Sequence, residues 1–131
     1  MIIKAPIDLV LTQMSGQTSQ PPWKRCGDSY SEVVNVNGKL ALFEVRQSGE
    51  FLDFDFTGDI TKKEAVSKLN YIYDLDFDLD KFYKYLSNQA ELAEMSEFCN
   101  GLRLFLAKDE FECVISSICS ANNSIKRWTK S

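Results

Sequence analysis

From Tyr30 to Phe56 the chain alternates apolar and polar residues in three successive runs separated by tight-turn signals, and few folds accept that pattern. The run from Tyr30 to Val36 sets Val34 and Val36 on one face. Asn37-Gly38 follows, and both residues tolerate the positive φ that a two-residue type I′ hairpin demands. Leu40 to Val45 therefore returns antiparallel to the first run. Ser48-Gly49-Glu50 supplies a second turn, and Phe51 to Phe56 alternates again with Asp53 and Asp55 facing water. The product is a twisted antiparallel meander whose single aromatic face must be covered.

The residues that follow read as the cover. Thr61 with Glu64 three residues later is a capping box, and Ala65, Leu69, Ile72 and Tyr73 form one helical stripe. Asp78 caps a second helix bearing Leu79, Phe82, Tyr83 and Leu86. A third helix is expected from about Ala90 to Phe98, stopped by Asn100-Gly101. Asp109 then caps a last amphipathic helix, with Phe111, Val114, Ile115, Ile118 and Cys119 at helical spacing. Upstream of the meander, Ile7 to Thr12 alternates and is expected to form a strand. Ser15 to Pro22 is a loop in which Gly16 allows positive φ, and Trp23 anchors its exit to the core. Strands first and helices afterwards indicate an α+β fold, and 131 residues are enough for one domain or for a domain and the start of another.

Composition narrows the chemistry. With 131 residues, 44% hydrophobic and 26% charged, the chain can bury one ordinary core. It has no His, so Ser-His-Asp and Cys-His machinery is excluded, along with the commonest zinc ligand. Its four Cys form no CxxC pair and are expected to be reduced, partly buried thiols; Cys113, among apolar neighbours with no base, reads as packing rather than nucleophile. The acidic run Asp74 to Asp80 lacks the central Gly and terminal Glu of a calcium loop, and a solvated helix cap is favoured. No metal and no cofactor is expected. No apolar run is long enough to cross a bilayer, so a cytoplasmic or nuclear protein is expected. A net charge of −4 argues against a stand-alone nucleic-acid-binding module.

Near the end of the chain, Gly101-Leu102-Arg103-Leu104-Phe105 leads through Asp109, Glu112-Cys113 and Ile118-Cys119-Ser120 to Asn122-Asn123, Ile125 and Arg127. This series resembles the 8-oxoguanine DNA glycosylase family, in which a segment of type G-[LV]-R-L-L-x-Q-D-P-x-E-C-L-x-S-F-I-C-S-x-N-N-x-I-x-R enters the catalytic domain. Leu79 to Tyr83 resembles the family's preceding L-x-x-L-Y helix. Ile7 to Leu11, Ser15-Gly16-Gln17 and Trp23 resemble the strand, S-G-Q loop and Trp with which these enzymes begin. The resemblance runs over the whole chain in the family's order, and it implies a TATA-binding-protein-like sheet domain over residues 1–108, the first helices of an all-α catalytic domain over 109–131, and a role in base excision repair. Such enzymes flip an oxidised guanine out of duplex DNA and break its glycosidic bond with a lysine amine.

Site residues follow from the same resemblance. The main-chain carbonyl of Gly16 accepts the N7 hydrogen that 8-oxoguanine has and guanine lacks. Asn122 enters the space left by the flipped base, and Arg127 reads the estranged cytosine opposite. Asn123, with Ser124, holds the shape of this polar knuckle. Outside the resemblance these residues read as a turn glycine, helix caps and a solvated charge. Ser124 stands where the family often carries a third Asn, and the loop after Gln17 is longer than the eukaryotic pattern. No lysine of the chain matches the nucleophile's motif, so no catalytic residue is assigned, and the 131 residues alone are expected to be inactive. The partners implied are DNA carrying 8-oxoguanine opposite cytosine and the catalytic half of the same protein, with self-association expected of the fragment. Two other functions fit the pattern: a non-catalytic α+β module that binds DNA or protein, and an alkylated-base glycosylase of the same superfamily.

Overall fold

A computed structural model describes residues 1–17 and 20–121. Its frame is a five-stranded antiparallel sheet in the order β1-β5-β4-β3-β2. The strands are β1 (Ile2–Lys4), β2 (Lys24–Cys26), β3 (Ser29–Val36), β4 (Lys39–Ser48) and β5 (Phe51–Gly58). Asn37 and Gly38 take φ of 54° and 85° between β3 and β4, as the hairpin requires. The register pairs Tyr30 with Val45, Val34 with Ala41 and Val45 with Phe54, so the buried residues of three strands share one face. Val33 and Leu42 pair on the opposite face and are exposed.

Among the described residues five helices accompany the sheet: α1 (Leu9–Met14), α2 (Lys62–Tyr73), α3 (Leu79–Ser87), α4 (Ala93–Phe98) and α5 (Glu110–Ser120). The Thr61 hydroxyl accepts from the Glu64 N–H, and the Glu64 carboxylate accepts from the Thr61 N–H at 2.8 Å. The stripe Ala65, Leu69, Ile72 and Tyr73 that follows this capping box is fully buried in the sheet's core. The core's centre is aromatic. Phe43 and Phe54 meet edge-on at 5.0 Å, and Trp23, Tyr73 and Phe105 pack together with ring centroids 5.4–6.2 Å apart. Trp23 is buried and anchors the loop exit as expected.

The segment expected to be a strand over Ile7–Thr12 is instead α1. Asp8 caps it, its carboxylate accepting from Leu11 N–H at 2.8 Å, and the inward positions are Leu9, Thr12 and Gln13. That spacing of three and four is helical, but two of the three residues are polar, which hid the period behind the Ile7/Leu9/Leu11 alternation. The third helix is shorter than expected, at Ala93–Phe98, and buries no residue. β1 and β2, each three residues long, carry no pattern of their own and exist by pairing with β5 and β3. Cysteine burial also differs from expectation: Cys99 and Cys113 are half-buried, but Cys26, ending β2 at the sheet edge, and Cys119, in the last turn of α5, are exposed. The acidic run makes turns and caps. Asp74 closes α2 in the left-handed region at φ 46°, and Asp78 caps α3. Among the described residues, no group of three or more metal-ligating side chains comes together. Among them, no helix is long and apolar enough to cross a membrane.

Candidate functional site

Two segments far apart in sequence, 7–17 and 101–106, lie side by side, and the first of them carries Gly16. Asp8 N–H donates to the Gly101 carbonyl at 2.7 Å. Gly101 sits at φ +83°, and a Cβ there would stand 2.6 Å from the Asp8 nitrogen, so only glycine permits this approach. Arg103 N–H donates to the Thr12 hydroxyl at 3.2 Å, and Leu106 N–H donates to the Ile72 carbonyl at 2.8 Å. The chain between α4 and α5 is thereby threaded along α1 and the end of α2.

Three glutamine carboxamides fix α1 and its following loop. Gln47 accepts from Leu9 N–H and donates to the Ile7 carbonyl, both at 2.7 Å. Buried Gln13 donates to the Tyr73 hydroxyl at 2.6 Å and accepts from Trp23 N–H at 2.9 Å, joining the two ends of the loop to the core. Burial pushes the Tyr73 phenol far above its ordinary range, so it stays a neutral partner for this amide. Gln17 donates to the Arg103 carbonyl at 2.8 Å and accepts from Phe105 N–H at 3.3 Å. Gly16 lies immediately before it, exposed, at φ +65°, with no atom within 4 Å of where a side chain would project. The left-handed conformation expected from the sequence is therefore present.

Arg103 is the hub of the arrangement. It is 4% exposed, and its guanidinium donates to three carbonyls, Pro6 at 2.9 Å, Asp74 at 2.7 Å and Phe77 at 3.2 Å. Burial lowers its pKa, opposed by the nearby Asp74 and Asp80 carboxylates. Tyr83 caps the neighbouring turn by donating to the Cys99 and Leu102 carbonyls. Beside these groups α3, α4 and residues 102–104 enclose an apolar cavity of about 470 Å³ lined by Phe77, Phe82, Leu86, Met95 and Leu104, with Gln17 and Arg103 at its polar end.

Residues 103–105 continue into α5, whose start is fixed by the Asp109 carboxylate accepting from Glu112 N–H at 2.9 Å. Lys108 pairs with Glu32 at 3.0 Å and Glu112 at 3.5 Å, tying the helix to β3. The stripe anticipated on α5 is present but uncovered: Phe111, Val114, Ile115 and Ile118 are all exposed. Asn122, Asn123 and Arg127 lie outside the described residues, so of the four expected site residues only Gly16 has a described position. The sequence pointed to neither Gln17 nor Arg103 as a site residue. The signal for Arg103 was a charge inside the apolar run Leu102 to Leu106, and that for Gln17 was its place in the Ser15-Gly16-Gln17 loop.

A family model described as the 8-oxoguanine DNA glycosylase N-terminal domain matches residues 2–114. A protein of Methanothermobacter thermautotrophicus named as a probable N-glycosylase/DNA lyase is 46% identical over 124 residues, which is 95% of this chain and 39% of that protein. The N-glycosylase/DNA lyase of Saccharomyces cerevisiae is 28% identical over 137 residues, covering 98% of this chain and 35% of the yeast protein. Among solved structures, the apo form of Clostridium acetobutylicum 8-oxoguanine glycosylase/lyase superposes with a TM-score of 0.67 at 25% identity, over 95% of this chain and 40% of that one. A 3-methyladenine DNA glycosylase of Archaeoglobus fulgidus gives a TM-score of 0.72 at 14% identity, over 98% of this chain and 46% of that one, a likeness of fold alone. The chain thus spans less than half the length of each of these relatives.

Proposed function

The chain belongs to the 8-oxoguanine DNA glycosylase family through its N-terminal domain, and on that footing we propose that it forms the N-terminal part of a bifunctional base-excision-repair glycosylase and strand-cleaving lyase. Its substrate is duplex DNA with 8-oxoguanine opposite cytosine, acting together with a catalytic half of the same protein. Residues 1–108 form the sheet domain and 109–131 the beginning of the helical catalytic domain.

The observation that carries this reading is Gly16: left-handed, exposed, and free of neighbours on its side-chain side, so that a planar base can approach its backbone closely. The Gly16 carbonyl accepts the N7–H of 8-oxoguanine. Guanine offers a lone pair at N7 instead and leaves the carbonyl facing an acceptor, an unfavourable contact once water is excluded. Asn122 fills the gap beneath the flipped base with Asn123 supporting it, and Arg127 reads the orphaned cytosine. The nucleophilic lysine is none of those in the 131 residues.

Borohydride trapping tests both halves of the proposal, since it reduces a lysine–sugar imine to a stable adduct. On a duplex with one 8-oxoguanine opposite cytosine, the 131-residue chain traps nothing and the full-length gene product traps DNA. An adduct on the 131-residue chain overturns the absence of the nucleophile. No adduct on the full-length product, with excision still observed, overturns the lyase step.

A further inference from the structure

Among the described residues, no group bonds the Gly16 carbonyl. The residue is exposed, contacts no atom on its side-chain side, and carries the most permissive backbone of any residue. Discrimination between N7–H and a bare N7 nevertheless demands a carbonyl fixed to a few tenths of an ångström, because a hydrogen bond weakens steeply with distance and angle. Upstream the loop is restrained as far as Ser15, whose hydroxyl donates to the Thr12 carbonyl at 2.7 Å. Downstream the restraint is the Gln17 side chain. Its carboxamide bonds the carbonyl of residue 103 and the N–H of residue 105, as a neighbouring strand's backbone would. Two bonds from one planar group fix its rotation as well as its position.

Both of these main-chain partners belong to a rigid segment. Arg103 is locked by four hydrogen bonds, from its backbone N–H to Thr12 and from its guanidinium to Pro6, Asp74 and Phe77. Phe105 is wedged between Trp23 and Tyr73. The same segment runs on to the Asp109 cap of α5. We infer that Gln17 is a positioning residue for lesion recognition: it locks the Gly16 carbonyl to the segment that launches α5, so that the reader of the damaged base and the helix leading to Asn122 and Arg127 keep one geometry. This rests on the proposed reading of Gly16 and adds the residue that makes its carbonyl selective.

The test compares full-length wild type with Gln17→Ala and Gln17→Glu on three duplexes: 8-oxoguanine opposite cytosine, guanine opposite cytosine, and an abasic-site analogue opposite cytosine. The analogue has no base to meet Gly16, so it reports the opposite-strand contacts and the fold without the lesion contact. Gln17→Ala lowers the preference for 8-oxoguanine over guanine about tenfold, one well-made hydrogen bond's worth, while binding of the analogue stays within about twofold. Gln17→Glu keeps the acceptor for Phe105 but sets a carboxylate against the Arg103 carbonyl, and it fails to restore the preference. An equal fall on all three duplexes means that Gln17 only supports the fold and overturns the inference, as does no change on any. A wild type that binds 8-oxoguanine and guanine alike overturns the reading of Gly16 itself, and the inference with it.

Discussion

Arg103 poses the sharpest energetic question at the level of single residues. A buried cation with no bonded carboxylate is costly, and replacing buried charge by apolar side chains is often harmless when the whole polar group is removed. Here it cannot be, because the acceptors are backbone carbonyls at Pro6, Asp74 and Phe77 that stay behind whatever side chain replaces arginine. Arg103→Met therefore leaves the Pro6 and Phe77 carbonyls without a donor and the Asp74 carbonyl with the Phe77 N–H alone, and the desolvation loss exceeds the gain from removing the charge. The expected cost is about 3 kcal/mol, read as a lower urea midpoint at unchanged slope. Arg103→Lys recovers only part of it, since an ammonium cannot reproduce the fork that spans carbonyls on two separate turns. A loss below about 1 kcal/mol for Arg103→Met would show that these carbonyls find other partners.

At the scale of elements, α2 is the helix whose boundary is most strongly specified. Thr61→Ala removes the hydroxyl that accepts from Glu64 N–H and costs about 1 kcal/mol of unfolding stability. The capping box also gives the helix a pH dependence with a definite sign. Hydrogen bonding from the Thr61 N–H, then from the Thr61 hydroxyl, holds the Glu64 carboxyl below its ordinary value of 4.5. A depressed folded pKa means that the unfolded chain takes up the proton first. The contribution is complete above pH 4.5 and disappears as pH falls from there through the folded value. The stability difference between wild type and Thr61→Ala is thus widest near neutrality and narrows under acid, which thermal melts across that range will measure. An undiminished difference at low pH would mean that the bond from the Thr61 hydroxyl to the carboxylate adds nothing to the cap.

The elements that could be read in advance are those whose information is local. The β3–β4 hairpin is written in period-two alternation around Asn37-Gly38, and α2 and α5 in caps three residues ahead of their partners. Helix α1 could not be read because tertiary partners decide it. Thr12 and Gln13 are inward because the Arg103 N–H and the Tyr73 hydroxyl await them, and no local period encodes that. The candidate site divides in the same way. The left-handed Gly16 was legible from residue type, whereas the Gln17 clasp joins main-chain atoms 86 and 88 residues away and leaves no mark on its neighbours.

For the molecule as a whole, the distribution of apolar surface decides how the isolated chain behaves. The sheet's inner face is sealed, but α4 and α5 present Phe98, Met95, Phe111 and Ile118 with more than half of each side chain in water. Covering one such side chain is worth about 1.5–3 kcal/mol, so several together outweigh the entropy of weak association. We expect the 131-residue chain to self-associate at rising concentration, with light scattering giving a mass above the 15.0 kDa monomer. Salt separates the driving force from the opposing one. The net charge of −4 makes copies repel, and screening removes that repulsion without weakening apolar contact, so association strengthens as salt is added. An association driven by ion pairs would weaken instead. Joint substitution of Phe111→Glu and Ile118→Glu, both on the exposed side of α5, should return a monomer with unchanged helical circular dichroism, whereas a wild-type chain that stays monomeric at high concentration and high salt defeats the prediction.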